Sequence, residues 1–305
     1  MRRDDIIDFG LVGLLTLMWG SAFAFIEIAL RDFSPAMIAF IRIALAAVLI
    51  AVYAIVRHSG LPHSGRHWVL CAALGFFGFA APFILIPYGQ EYVSSGTAAL
   101  LMAISPISTL FFAHFLTHDE KVTTRRMLGV SIGFVGIIIL FGGDVALGGQ
   151  MLIGGPVLIA AALCYAIAGI IMKQMSAFSA TASSAGSLIM ATLICIPALA
   201  LRNDFAKLAD VLNASSAALI SLLVLAIGAT GLAAIIVLIL VRRRGATFTA
   251  TSNYGVPACG VILGILFLEE TARWNILVTL ALIIAAIWLT SGKTQAPQTP
   301  RAERA

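Results

Sequence analysis

The sequence predicts an all-α membrane protein in which ten transmembrane helices form two inverted repeats of five helices. Three observations support this fold class: the composition, the long apolar runs and a resemblance between the two halves of the chain. Of the 305 residues, 61% are hydrophobic and only 11% are charged, and the mean hydropathy is +1.04. Soluble domains are nearer half apolar and a quarter charged, so this composition excludes an ordinary cytosolic globule and a disordered chain.

The apolar runs each approach the roughly 20 residues that a helix needs to cross a bilayer. They are too long and too continuous for the alternating strands of an outer-membrane barrel. The predicted helices cover residues 9–30, 36–57, 68–87, 95–116, 127–142, 152–173, 183–201, 217–241, 247–268 and 274–291. The basic start of the chain and Ala22-Phe23-Ala24 also resemble a cleavable signal peptide, but its removal would leave nine spans and break the repeat.

The positive charges predict the orientation of the helices, because Lys and Arg are enriched in cytoplasmic loops. With the N-terminus inside, 14 of the 19 Lys and Arg residues lie on the inner side, 4 lie on the outer side, and Arg42 lies within a span. We therefore expect a multi-pass protein of the cell inner membrane with both termini in the cytoplasm. Residues 1–8 would form the N-terminus, 9–145 the first repeat, 146–291 the second repeat and 292–305 a disordered tail. The net charge of +5 reflects this topology and predicts no nucleic-acid partner.

The two halves show matching positions. Trp19 in the first helix matches Tyr165 in the sixth at an offset of 146, and Pro106 in the fourth matches Pro257 in the ninth at an offset of 151. Because five is an odd number, the second half must enter the membrane from the opposite side, which is the usual construction of secondary carriers. A chance resemblance between helices rich in Leu, Ala and Gly is the alternative interpretation.

Several motifs resemble the EamA-type transporters of the drug/metabolite transporter superfamily, over about residues 9–291. They are Trp19-Gly20-Ser21, Pro35 through Arg42, Ser95-Gly96-Thr97-Ala98-Ala99-Leu100 through Pro106 to Glu120, Gly129 through Gly136, and Gly245-Ala246-Thr247 followed by Pro257 and Glu270. The resemblance implies ten helices in two five-helix repeats, a central cavity, and export or exchange of small metabolites.

Glu27 and Arg42 are ionisable residues inside predicted spans, where such groups are costly and usually functional. Both lie roughly 6–9 Å below the outer boundary at 1.5 Å per residue. A short turn joins the first two helices, so an ion pair between them is plausible. In the functional interpretation, Glu27 is an exchangeable proton site or contacts a substrate amine, and Arg42 binds a substrate carboxylate. In the structural interpretation the two charges neutralise each other near the interface.

Aromatic and polar residues of the spans are candidates for substrate binding: Trp19, Tyr88, Tyr165, Thr251, Asn253 and Tyr254. Trp19 and Tyr165 lie near the middle of the membrane, where carrier sites lie, and Tyr88 lies close to the outer interface. Plain packing inside the bundle is the alternative for each, and Tyr88 also fits the aromatic belt at the interface. Pro106 and Pro257 each remove a backbone donor and are predicted hinges.

The sequence contains no phosphate-binding loop, no G-x-S-x-G elbow and no H-E-x-x-H helix. Together with the resemblance, these observations predict a secondary active transporter that exports or exchanges amino acids, related amphipathic compounds or drugs by alternating access. We expect no enzyme activity, no cofactor and no metal, and the expected partners are a small-molecule substrate and the lipid bilayer, with a homodimer as a further candidate. The alternatives are a non-transporting membrane assembly protein and, less favoured, an intramembrane enzyme.

Overall fold

Helices form the regular secondary structure of residues 3–105, 124–145 and 149–290, the part of the chain that the computed structural model describes. The main helices of these residues are α1 Arg3–Ala29, α2 Pro35–Val56, α3 Gly65–Gln90, α4 Ser95–Met102, α5 Thr124–Val145, α6 Met151–Gln174, α7 Ala180–Leu201, α8 Ser216–Arg244, α9 Val256–Phe267 and α10 Trp274–Thr290. A short helix, Asp204–Ala209, lies between α7 and α8.

Six of these helices, α1, α2, α3, α6, α7 and α8, are long and apolar enough to cross a membrane. In the described residues α9 has 12 residues and α10 has 17, and the described part of α4 has eight. The protein is therefore an all-helical, multi-pass membrane protein, and the number of ten spans stays a prediction. Large apolar side chains such as Ile55 and Leu201 are exposed on the outer faces of the helices, where lipid would cover them.

Serine residues begin five of the helices. Each hydroxyl accepts a hydrogen bond from the backbone N–H three residues later, which satisfies a donor that the helix itself leaves free. These serines are Ser34, Ser64, Ser94, Ser179 and Ser215, which cap α2, α3, α4, α7 and α8 respectively. The caps of α2 and α7, and those of α3 and α8, fall at corresponding places in the two halves of the sequence.

Two helices contain a wider, π-helical segment: Phe76–Ala80 in α3 and Val224–Leu232 in α8. The two segments begin 148 positions apart. This distance lies between the offsets of 146 and 151 at which residues match in the two halves of the sequence. Glycines within them, Gly78 and Gly228 among others, leave the backbone free of Cβ crowding. Such segments are rare and occur often at functional sites.

The chain before α9 departs from the continuous helix that the sequence predicts over 247–268. An α-helical turn, Ala246–Thr249, passes into a 3₁₀ segment, Ala250–Tyr254. Within it, the hydroxyl of Ser252 donates to the carbonyl of Thr249 at 2.8 Å. Short polar side chains that bond back to the chain in this way compete with regular α-helical geometry.

Small residues bring the helices into close contact at the centre of the bundle. A Cβ on Gly260 of α9 would collide with the Cβ of Ala99, so α9 packs directly on α4. Gly136 of α5 faces Thr279 of α10, whose hydroxyl donates to the Gly136 carbonyl at 2.9 Å. Gly136 thus serves packing within the chain, and the homodimer stays a prediction.

The bundle has two ends, which we name by a residue found there. The Arg244 end contains the start of α1 and the end of α8. The Glu270 end contains the end of α3, the start of α4 and the connection between α9 and α10.

Candidate functional site

A buried guanidinium, that of Arg42, lies where α2 meets the π-helical segments of α3 and α8. Arg42 is 6% exposed. Its Nε donates to the hydroxyl of Thr230 at 2.6 Å, and that hydroxyl in turn donates to the Leu225 carbonyl at 2.8 Å. The guanidinium carbon lies 4.0 Å from the centre of the Phe83 ring, a cation–π contact. Tyr165 is close enough to interact electrostatically with Arg42.

The two terminal amino groups of Arg42 donate no hydrogen bond to a described residue, and no described carboxylate lies within ion-pair distance of them. The fully buried polar side-chain atoms that lack a partner in the described residues are Oε1 of Gln90 and Oγ of Ser187. Arg42 therefore carries a buried positive charge that no carboxylate of the described residues neutralises.

The ion pair that the sequence made plausible between Glu27 and Arg42 does not form. Glu27 instead accepts a hydrogen bond from Nε2 of Gln90 at 3.4 Å, while the same nitrogen donates to the Phe23 carbonyl at 2.9 Å. Glu27 also lies close enough to Glu270 for the two carboxylates to repel each other. The helices α1 and α2 do not pack along each other: α1 packs on α9, whereas α2 packs on α7 and α8, so the two charges meet different partners.

The aromatic candidates lie in separate places. Tyr165 packs between two apolar clusters and close to Arg42, whereas Trp19 packs against a third cluster that contains Leu15 and Leu240. Tyr88 lies at the Glu270 end, with its ring edge against Tyr92 at 5.7 Å between ring centres. Arg42 and Tyr165 are therefore brought together, and Trp19 and Tyr88 are not part of that group.

The guanidinium of Arg202 lies 5.7 Å from the centre of the Tyr88 ring. An amphipathic ring that holds a cation near a helix end is typical of the membrane interface. Whether Tyr88 binds a substrate or belongs to an aromatic belt stays a prediction.

The polar candidates before α9 lie in the 3₁₀ segment. The hydroxyl of Thr251 donates to the Phe248 carbonyl at 2.6 Å. The side chains of Asn253 and Tyr254 are exposed, Tyr254 by 37%. Whether these residues bind a substrate stays a prediction.

Pro257 occupies the second residue of α9, where a helix has no hydrogen-bond partner for its N–H. The sequence predicts Pro257 inside a continuous helix, where it would remove an internal hydrogen bond. Because Pro257 lies at the start of α9, no such bond is lost. The other predicted hinge, Pro106, lies outside the described residues.

At the Glu270 end, the carboxylate of Glu270 binds the start of α4. Its Oε1 accepts hydrogen bonds from the N–H and hydroxyl of Ser95 at 2.7 and 2.5 Å, and its Oε2 accepts one from the N–H of Gly96 at 3.0 Å. These are the first free N–H groups of the helix, where a negative charge is stabilised. A Cβ on Gly264 would meet Glu270 and Ser95, so glycine is required for this contact.

A cavity of about 300 Å³ adjoins this contact. Its lining includes Tyr92, Thr97, Gln150, Glu269, Glu270 and Arg273. Acidic, basic and hydroxyl groups therefore face one space at the Glu270 end, beside the contact that joins α4 to the α9–α10 connection.

Two further contacts at the Glu270 end join the α1–α2 connection to the residues before α8. Ser34 donates to Oδ2 of Asp204 at 2.5 Å, and Asp32 accepts hydrogen bonds from the hydroxyl and the N–H of Ser215, the latter at 3.0 Å. The Ser215 hydroxyl and N–H hold the pKa of Asp32 below its usual value, since both favour the charged carboxylate.

At the Arg244 end, α1 and α8 are joined by ion pairs. Asp8, which is 1% exposed, accepts from Nε of Arg243 at 2.7 Å and from Nε of Arg244 at 2.5 Å. Asp4 and Asp5 pair with the same two arginines from the more exposed side. A cavity of about 380 Å³ lies among these five residues.

Sequence reasoning did not identify Thr230, Phe83 or Gln90 as site residues. Gln90 is 3% exposed and ends an otherwise apolar helix, so its polarity was a usable signal. Thr230 and Phe83 carry no comparable signal, because a threonine or a phenylalanine is ordinary in a spanning helix.

In the described residues, six apolar helices long enough to cross a membrane pack together and bury polar groups between them, which defines a polytopic membrane protein. The profile of the EamA-like transporter family matches the chain twice, over residues 9–142 and 152–292. The chain belongs to this family.

Curated relatives agree with this assignment. The chain is 28% identical over 288 residues to the "Probable terminal-alkyne amino-acid exporter" of Streptantibioticus cattleyicolor, with 92% of each chain covered. It is 30% identical over 133 residues to an uncharacterized transporter of Archaeoglobus fulgidus, with 42% of this chain and 45% of the relative covered. It is also 30% identical over 138 residues to the inner membrane transporter YedA of Escherichia coli, with 44% of each covered.

The last two matches span less than half the length of those relatives. A solved crystal structure aligns with a TM-score of 0.63 at 15% identity, over 95% of this chain and 98% of that one. This likeness shows the fold.

Proposed function

We propose that the protein is a secondary active transporter that exports or exchanges small organic metabolites across the cell inner membrane by alternating access. Ten spans in two inverted repeats, 9–145 and 146–291, would rock around a cavity, with both termini in the cytoplasm. Amino acids and related amphipathic compounds are the proposed cargo. The relative from Streptantibioticus cattleyicolor, whose name describes an amino-acid exporter, supports this choice.

The observation that carries the proposal is the contact between Glu270 and the start of α4. It joins the second half of the chain to the first through three hydrogen bonds from Ser95 and Gly96. Water can replace such bonds when the helices separate, so the contact can be broken and re-formed at low cost. An alternating-access carrier needs a closure of this kind at the membrane surface, where one half meets the other.

The Arg244 end has its own contact between the halves. Arg243 and Arg244, at the end of α8, bind Asp8 in α1. In the proposed cycle, the contacts at the two ends separate in different states, so that the substrate meets one side of the membrane at a time. Pro257, which begins α9 between these ends, is the proposed hinge.

Glu27 is the proposed proton site. It is half-buried and accepts a hydrogen bond from Gln90. Its charge repels the carboxylate of Glu270, the residue whose bonds to α4 close the Glu270 end. Protonation of Glu27 would remove one of two like charges beside the closing contact. Proton binding would thereby change the stability of the closed Glu270 end, which is the differential interaction that coupling requires.

The experiment that tests transport compares extracellular metabolites of cells that overproduce the protein with those of cells that lack it. A metabolite that accumulates outside only with the protein is then tested by counterflow in proteoliposomes of the purified chain. We expect trans-stimulated exchange that needs no ATP. Equal metabolite profiles in the two strains, together with no counterflow, would contradict the proposal.

Proton coupling is tested in the same proteoliposomes with Glu27→Gln, which keeps the size and the hydrogen bond to Gln90 but cannot titrate. We expect the pH dependence of exchange to disappear in this variant. Glu91→Gln is the matched control, because Glu91 is an exposed carboxylate at the end of α3. If Glu27→Gln retains the wild-type pH dependence, Glu27 is not the coupling site.

A further inference from the structure

A buried amide, that of Asn275 in the first turn of α10, faces the cavity of about 300 Å³ at the Glu270 end. Asn275 is 6% exposed, and its side chain makes no hydrogen bond within the part of the chain that the structure describes. Its polar atoms are not sealed inside the protein, so the cavity is the space that they meet. A buried amide is expected to bond to whatever fills such a space, because an unpaired one is costly.

The backbone at the start of α10 offers further donors beside this amide. The N–H groups of Trp274 and Asn275 donate to no described residue, whereas those of Ile276 and Leu277 donate to the Arg273 carbonyl. Free N–H groups at the start of a helix attract an anion. The guanidinium of Arg273 immediately precedes them and lines the same cavity. An anionic group held there would find backbone, amide and guanidinium donors together.

A negative charge lines the same cavity. Glu269 is exposed and, like Arg273, has no ion-pair partner among residues 3–105, 124–145 and 149–290. The carboxylate of Glu270, in contrast, is occupied by its bonds to α4. Glu269 and Arg273 thus face one space without pairing with each other. This arrangement suits a ligand that carries both a cation and an anion, and the two carboxylates disfavour a ligand that carries an anion alone.

The cavity lies beside a surface that lipid would cover. Trp274, the first residue of α10, is 67% exposed, and exposed Trp is typical of the headgroup level of a bilayer. Leu277, one turn further, and Ile138 of α5, which packs on α10, are also exposed. The polar cavity and an apolar surface suited to acyl chains therefore share the first turns of α10.

We infer that this cavity binds the headgroup of phosphatidylethanolamine, a lipid that stays with the protein and is not its transported solute. The phosphate accepts hydrogen bonds from Arg273, from the start of α10 and from the amide of Asn275. The ammonium group donates to Glu269. A volume of about 300 Å³ lies at the small end of ligand sites, which suits a headgroup whose acyl chains remain outside.

The charges of the cavity predict which lipid binds best. The primary ammonium of phosphatidylethanolamine has three N–H donors for a carboxylate. Phosphatidylcholine has the same charges but no N–H on its cation, and phosphatidylglycerol has no cation. Both should therefore bind more weakly beside Glu269. The charge-assisted hydrogen bonds that distinguish the lipids correspond to a difference in affinity of about 10- to 100-fold.

The test titrates the purified full-length protein in detergent with each of the three lipids, all with the same acyl chains, and counts bound lipid by native mass spectrometry. We expect one phosphatidylethanolamine to bind about 10- to 100-fold more tightly than the other two lipids. Thermal midpoints in nanodiscs of the same three lipids give a second measurement. The midpoint should be highest with phosphatidylethanolamine, because a ligand of the folded state stabilises it.

The variants locate the bound lipid. Glu269→Gln should abolish the preference for phosphatidylethanolamine over phosphatidylcholine, because it removes the partner of the ammonium. Arg273→Gln should weaken both lipids alike, because it removes a phosphate contact. The controls are Glu91→Gln and Arg202→Gln, which remove the same charges from exposed side chains at the same end but outside the cavity lining. Glu269 and Arg273 are exposed, so neither substitution endangers folding.

A competition separates the bilayer from the surrounding water as the source of the headgroup. Soluble glycerophosphoethanolamine should displace the bound lipid only weakly, because it lacks the acyl chains that lie against α5 and α10. The inference is overturned if the three lipids bind equally, if phosphatidylglycerol binds best, or if the preference for phosphatidylethanolamine survives in Glu269→Gln. It is also overturned if the soluble headgroup binds as tightly as the lipid, which would make the cavity a site for a dissolved solute.

Discussion

Glu270→Gln should open the Glu270 end of the protein. The carboxylate accepts three hydrogen bonds, two from Ser95 and one from Gly96, and it neutralises the start of α4. Glutamine keeps one carbonyl oxygen but directs an NH₂ group at donors that then have no acceptor. The loss of the charge and of one or two of these bonds destabilises the contact by about 2–3 kcal/mol. The ratio of molecules with the contact formed to molecules with the contact broken would then fall roughly 30- to 150-fold.

Hydrogen exchange measures this ratio directly, because the bonded amides of Ser95 and Gly96 exchange only when the contact opens. We expect the segment that contains these two amides to exchange about 30- to 150-fold faster in Glu270→Gln than in the wild type. Exchange in α7, which is remote from the contact, should not change. The comparison requires wild type and variant in the same nanodiscs and at the same pH.

Glu269→Gln is the matched control. It removes the same charge one residue earlier, from a side chain that is exposed and makes no hydrogen bond within the described part. We expect its exchange profile to equal that of the wild type. Equal acceleration in both variants would show that net charge, rather than the bonds to α4, determines opening, and no acceleration in Glu270→Gln would show that the contact does not close this end.

Two further predictions concern stability. Asp8→Asn should lower the thermal midpoint in nanodiscs by a few degrees, because Asp8 accepts hydrogen bonds from both arginines at the end of α8. Asp4→Asn should change the midpoint little, because Asp4 is exposed. Equal midpoints for the two variants would contradict the assigned role of Asp8. Gly260→Ala should destabilise the protein by about 1–3 kcal/mol, because its Cβ would collide with Ala99. Gly142→Ala is the control, since nothing lies within 4 Å of a Cβ there, and chemical unfolding that ranks the two variants equally would refute the close packing of α9 on α4.

The sequence predicts the helices well because a spanning helix has a strong local signal. Runs of apolar residues locate α1, α2, α3, α6, α7 and α8, and a serine marks the start of several of them. The helix predicted over 247–268 is interrupted by the 3₁₀ segment Ala250–Tyr254 for a local reason. Hydroxyl side chains there bond to carbonyls three residues earlier, and a hydropathy pattern does not record that competition.

The partners of the buried charges are less accessible to sequence reasoning. Glu27 and Arg42 are close along the chain, and a short turn joins their helices, so a mutual ion pair was the simplest interpretation. The packing of the helices decides otherwise: α1 packs on α9 and α2 packs on α7 and α8, so Glu27 meets Gln90 and Arg42 meets Thr230, which is 188 positions away. Contacts between helices that are distant in sequence are not encoded in the local pattern of either helix.

The sequence nevertheless identifies which ionisable groups lie within the predicted spans. Glu27 and Arg42 are the two ionisable groups that the sequence singles out near the outer third of the membrane, and each needs a partner if it stays charged. The structure separates them, so two partners are needed instead of one. Glu27 accepts a hydrogen bond from Gln90 and, in our proposal, also binds a proton, whereas Arg42 donates a hydrogen bond to Thr230. The absence of a mutual pair also matters for the proposed coupling, because an ion pair with Arg42 would have held the Glu27 carboxylate in its charged form and made it a poor proton carrier.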